Sequence, residues 1–209
     1  MIYWNKNEEA IIGRFIEIAY DNSQKNMILV WDDESMAVAK FDWFSEDEND
    51  YDLDEPEYEE FWSFDFFAKW IVKEPPIEIT KDLYFIVNYH NFPELIYMEM
   101  EQATDMKATA EDFAGRIREM INKELVLFWN DGSMVIARYN SHDFEDTASL
   151  AAKNNDSVLI RFKAVRVIGV PPVDIDDNLC FAVSSRNFPD TIFEEIDRQS
   201  DKADSEEDT

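Results

Sequence analysis

The sequence predicts an α+β fold written twice: two tandem lobes, each a helix, a four-stranded antiparallel sheet and a short C-terminal helix. Two stretches carry this expectation. Trp31–Phe41 reads WDDESMAVAKF and Trp129–Tyr139 reads WNDGSMVIARY, with Trp, Asp, Ser, Met and Ala in the same places. Pro75–Ile96, PPIEITKDLYFIVNYHNFPELI, is answered by Pro171–Ile192, PPVDIDDNLCFAVSSRNFPDTI, where ten of 22 positions are identical without a gap. Self-similarity at a spacing of about a hundred residues marks an internal duplication. The lobes are expected at 1–100 and 101–200, followed by an acidic, disordered tail at 201–209. A duplicated chain can replace an ancestral homodimer, so a pseudo-twofold is expected.

The elements follow in order. Ile11, Ile12, Phe15 and Ile18 recur at helical spacing between Asn7 and Tyr20, with Asn7 as N-cap and Glu8 and Glu9 in the first turn. In the second copy Thr109-Ala-Glu-Asp112 reads as a capping box before the stripe Phe113, Ile117, Met120 and Ile121. Gly13 and Gly115 align inside these helices, which suggests that the helix approaches the sheet closely. A hairpin comes next. Met27–Trp31 and Met36–Phe41 flank Asp-Asp-Glu-Ser, and Leu125–Trp129 and Met134–Tyr139 flank Asn-Asp-Gly-Ser, a strong turn signal. Asp33, Asp131, Ser35 and Ser133 are therefore expected to be turn residues rather than catalysts.

A third strand is expected from Phe61 to Val72 and from Ser157 to Ile168. Trp62, Phe64, Phe66, Ala68, Trp70 and Val72 would form its buried face, with the Trp70/Arg166 pair at the rim of the core. Pro75-Pro76 and Pro171-Pro172 end it, because proline cannot donate to a strand pair. A fourth strand spans Leu83–Tyr89 and Leu179–Ser185. Asn-Phe-Pro then opens a short helix in each copy, Pro93 and Pro189 suiting its first turn, and Asn91 and Asn187 would cap it.

Composition bounds the function. The 209 residues include 47 Asp and Glu against 19 Lys and Arg, a formal net charge of −28, yet 45% are hydrophobic and 16 are Phe. The chain can bury a sizeable core. Such one-sided charge serves solubility, an extreme ionic setting or a basic partner. Direct nucleic-acid binding is disfavoured for want of a basic footprint, and an anionic membrane surface for the same reason. The single cysteine, Cys180, permits no intramolecular disulfide. With no basic-then-apolar leader and no long apolar run, a cytoplasmic location is expected.

No catalytic signature stands out, and no enzymatic activity or cofactor is expected. His90 and His142 are not equivalent in the repeat, Ser184-Ser185-Arg186 lacks a nucleophile-elbow context, and four glycines supply no phosphate loop. Cysteine and histidine do not fall at zinc spacing. The distinctive stretch is Ser45–Glu60, SEDENDYDLDEPEYEE, with ten acidic residues. Calcium ligation is one reading, but no candidate loop carries the glycine an EF-hand turn needs. A solvated loop is another.

The repeat favours a third reading. The equivalent stretch Ser141–Asp156 holds only the acidic residues Asp143, Glu145, Asp146 and Asp156, and Phe144 is its one aromatic. The fold does not demand an acidic-aromatic loop, so a protein-recognition surface is expected there. Its candidate residues are Trp43, Phe44, Asp50, Tyr51, Asp52, Asp54, Glu57 and Tyr58, rings for desolvated contact and carboxylates to steer a basic partner. Charge is lopsided in the same sense: residues 1–100 carry 7 basic and 24 acidic side chains, the rest 12 and 23. The leading expectation is an immunity- or inhibitor-type protein that occludes a basic protein such as a nuclease toxin. The alternatives are a nucleic-acid mimic, a small-ligand or enzyme site between the lobes, and an assembly component.

Overall fold

The computed structural model describes residues 6–101, 113, 116, 120–121, 123–139, 159–184 and 186–198. They divide into two compact units, one running to Met98 and resuming at Ile196, the other spanning Glu99–Glu195. The regular structure is predominantly β. Among the described residues ten antiparallel strands, five in each unit, accompany two short helices in the first unit, which corrects the expected α+β lobes with four-stranded sheets.

In the first unit α1 (Lys6–Ile12) and α2 (Phe15–Asp21) precede β1 (Asn26–Val30), β2 (Met36–Glu48), β3 (Glu60–Lys73), β4 (Tyr84–Val87) and β5 (Leu95–Glu99). The sheet order is β4-β3-β2-β1-β5. Ile12, Phe15, Ile16 and Ala19 seal one sheet face, packing on Met27, Leu29, Phe41, Phe64, Phe66 and Phe85. Burying apolar surface on this scale is the main stabilising term.

The expected single helix is broken in two. Gly13 takes φ of +54°, a conformation that ends α1 and that glycine adopts without steric penalty. The Arg198 carbonyl then accepts the Arg14 N–H at 2.9 Å, just before α2. Arg198 also donates to the carbonyls of Ile11 (2.9 Å) and Glu94 (2.7 Å), and its guanidinium lies 5.0 Å from the centre of the Phe92 ring. The close approach at Gly13 is therefore to Arg198, not to the sheet. Glu8, expected in the first turn of this helix, is fully buried and accepts the Trp62 N–H at 2.5 Å. A buried carboxylate needs such a partner.

The segment after Asn-Phe-Pro is a strand in both copies, not a short helix. Leu95–Met98 pairs with Met27–Val30 across β1, and Thr191–Glu194 pairs with Leu125–Phe128. β1 would otherwise leave a row of unpaired backbone groups at its edge, and satisfying them outweighs the local helical preference. Asn91 and Asn187 cap no helix. The Asn91 side-chain oxygen accepts the Asn88 N–H (2.7 Å), and that of Asn187 accepts the Ser184 N–H (2.6 Å), shaping the loops that lead into these strands.

The second unit repeats the plan with β6 (Glu124–Phe128), β7 (Met134–Tyr139), β8 (Leu159–Ile168), β9 (Cys180–Ser184) and β10 (Thr191–Glu195), in the order β10-β6-β7-β8-β9. Phe113 and Arg116 are helical, and Phe113 is buried in this core. The remaining residues of the expected 109–121 helix, Gly115 among them, the 141–156 stretch and the 201–209 tail lie outside the described residues.

The duplication extends to irregularities. Val38 pairs with Trp70 and Ala39 with Ala68, and Ile136 pairs with Arg166 and Ala137 with Ala164, so each third strand bulges at the same place. A bulge flips the alternation, which is why Trp70, expected on the buried face, is 41% exposed. The turns also match. The Asp33 and Asp131 carboxylates accept the N–H of Ser35 (2.9 Å) and Ser133 (2.8 Å), and both carboxyls are held below the ordinary range by hydrogen bonds from those serines. Glu34 adopts φ of +64° where the second copy has Gly132 at +85°. Replacing Glu34 by Gly relieves a left-handed strain, so a net gain of about 0.5–1 kcal/mol is expected, read as a higher urea midpoint with unchanged slope.

Candidate functional site

The acidic stretch is the end of a long hairpin. β2 and β3 stay paired from Trp43↔Asp65 out to Glu48↔Glu60, so Ser45–Glu48 belong to a strand and only 49–59 form a loop. The loop is braced from within. Asn49 donates its backbone N–H to the Glu59 carbonyl (3.1 Å) and its side-chain amide to the Glu57 carbonyl (2.7 Å), while its side-chain oxygen accepts the Glu59 N–H (3.2 Å). The Asp52 N–H donates to the Glu55 carboxylate (3.0 Å), and the Glu55 N–H to the Asp52 carbonyl (2.8 Å). An asparagine saturated in this way defines a loop without a hydrophobic core.

The predicted residues divide by role. Asp50, Tyr51, Asp52, Asp54 and Glu57 are exposed at the tip, together with Leu53, which is 79% exposed. Tyr58 does not point outward. Its hydroxyl lies 2.8 Å from Glu48 and 3.0 Å from Glu60, joining the two strands of the arm. Hydrogen bonding to Glu48 and burial push this phenol far above the ordinary range, so it stays protonated. Phe44 packs inward with Phe41 and Trp62. Trp43, which register places beside Asp65 on the opposite face, is 58% exposed, with its ring stacked on that of Phe44 at 5.7 Å.

That opposite face holds residues that the sequence reading passed over. Register places Trp43, Asp65 and Ile86 in one row across β2, β3 and β4, and Lys40, Phe67 and Tyr84 in the next. Phe67 and Tyr84 meet edge to face at 5.4 Å. Burial, then hydrogen bonding to Asp65, then the charges of Asp65 and Asp42 raise the Tyr84 phenol from 10.0 to about 12. The signal was available in the repeat. At the matching positions Asp65 becomes Arg161, Phe67 becomes Lys163, Tyr84 becomes Cys180 and Ile86 becomes Ala182.

Near the tip, His90 approaches the Glu59 carboxylate at 3.4 Å, and the Tyr89 hydroxyl donates to the same group. Among the described residues no group of three or more His, Cys, Asp or Glu is arranged to hold a metal ion. No helix among them is long and apolar enough to cross a membrane.

Comparison with protein-family models, curated proteins and solved structures finds no match. The reading of the surface therefore rests on its own chemistry.

One property of that surface is directly measurable. A phenol whose folded pKa is raised contributes stability that is whole below its unfolded value and disappears as pH climbs through the folded one, here between 10.0 and about 12. An ultraviolet difference titration of the protein against its Tyr84→Phe variant is expected to isolate one phenol ionising near 12. Asp65→Asn is expected to bring it down towards 10.0 without reaching it, since burial remains.

Proposed function

We propose that the chain is a non-enzymatic acidic binding protein that occludes a basic protein partner, in the manner of an immunity or inhibitor protein. One observation carries the reading. A paired two-stranded arm carries acidic groups and exposed Tyr51 and Leu53 at its tip, and its loop is held in shape by its own hydrogen bonds. A tip ordered before contact loses less conformational entropy on binding than a floppy acidic loop would. Carboxylates at its end accelerate encounter with a cationic surface, and Tyr51 and Leu53 supply the desolvated contact that retains it.

The test compares the protein with its Asp50→Lys/Asp52→Lys/Asp54→Lys variant in affinity capture from a nuclease-treated lysate of the source organism, washed at low and then high salt. One basic protein that survives the high-salt wash on the unaltered chain is expected, with affinity for the purified partner falling about tenfold or more in the variant. Unchanged affinity removes the tip from the interface. Many DNA-binding proteins, all released by salt, or an empty column, overturn the reading.

A further inference from the structure

The exposed outer face of β2, β3 and β4 begins where the arm leaves the sheet. Trp43 is 58% exposed, Phe67 43% and Ile86 41%, and register sets Asp65 between Trp43 and Ile86. Asp42, the extra residue of a bulge between Phe41 and Trp43, adds a second carboxylate close enough to act on Tyr84. Contiguous exposed apolar surface of this kind marks an interaction site. The fold does not require it, because the second copy keeps the paired strands and places Arg161, Lys163, Cys180 and Ala182 there instead.

We propose that this face receives arginine side chains of the basic partner, their guanidinium planes lying on the Trp43 and Phe67 rings and their N–H groups pairing with Asp42 and Asp65. A ring beside a carboxylate fits that chemistry: the guanidinium is planar, weakly hydrated and forked, so it stacks and pairs at once, whereas an ammonium is a compact, strongly hydrated charge. Lys40, across from Phe67, already donates to Gln24 at 3.1 Å. A second copy of this chain is the poorer occupant, since each brings a formal charge of −28. The inference rests on the functional reading above and adds this face of the sheet to the tip.

The experiment is a nitrogen-15 NMR titration of the full chain with a hexa-arginine peptide at physiological salt, repeated with hexa-lysine and with the Asp65→Arg/Phe67→Lys variant. That variant carries the residues found at the same register in the second copy, so its sheet is expected to form; Trp43→Ser gives an independent check should it not. The expected result is perturbation of the Trp43 indole and of Asp65, Phe67 and Ile86 as well as the tip. Hexa-lysine is expected to bind this face more weakly, and the variant to lose about tenfold in arginine affinity there while the tip still responds. Shifts confined to the tip overturn this inference and leave the functional reading standing. Shifts nowhere overturn both. Perturbation of the face that grows with protein concentration in the absence of peptide assigns it to a second copy and overturns the inference.

Discussion

Trp31→Ala is expected to destabilise the first unit by about 3–5 kcal/mol, the range for removing a buried indole and leaving a cavity. Trp31 is 4% exposed and does two jobs at once. Its rings fill the core beside the β1–β2 turn, and its Nε1–H donates to the Asn91 carbonyl at 2.8 Å, tying that turn to the loop that delivers β5. Trp31→Phe separates these contributions: most of the packing survives while the carbonyl loses its donor, for a cost of about 1–2 kcal/mol. The second copy supplies a parallel case. Trp129 is also 4% exposed and donates to the Asn187 carbonyl at 3.1 Å. Guanidinium unfolding followed by hydrogen exchange resolves the two units. Trp31→Ala is expected to lower protection in β1–β5 and Trp129→Ala in β6–β10. Equal loss in both units from either substitution would show that they unfold as one and refute the separate assignment.

Gly13→Ala is the second large effect, expected at about 3 kcal/mol. Two penalties combine. A side chain at φ of +54° costs about 1–2 kcal/mol. The added Cβ would also fall 2.1 Å from the Arg198 carbonyl oxygen, backbone that cannot swing aside, and overpacking of this sort costs about 1–3 kcal/mol. The steric part depends on residues distant in sequence, which gives the check. In a chain truncated before Ile196, Gly13→Ala is expected to cost only its backbone part, and the difference between the two backgrounds is the coupling energy. An identical cost in both would show that Arg198 does not press on Gly13.

Both experiments probe features unequally visible in the chain. The duplication was legible, and with it the paired turns, the first four strands of each copy and the proline stops, because these rest on local patterns written twice. Asp33 and Asp131 sit in turns for the reason their spacing suggested, a carboxylate reaching the backbone N–H two residues on. The acidic-aromatic stretch was visible as well, although it proved to be a strand-supported arm in which Tyr58 braces instead of reaching outward. Asp65 and Phe67 went unnoticed because they alternate with core residues, and only strand pairing shows which neighbours share their face.

What the amino-acid sequence determined by itself is whatever depends on neighbours along the chain: repeat, turn, alternation and charge. Tertiary structure decided the rest. Leu95–Glu99 became a strand because β1 needed a partner for its backbone, and one helix became two where Arg198, far along the chain, supplied a carbonyl to the Arg14 N–H beside Gly13. Glu8 turned inward to meet the Trp62 N–H. Each of these outcomes satisfies a backbone group with a partner distant in sequence, and a requirement of that kind leaves no periodic trace in the residues that meet it.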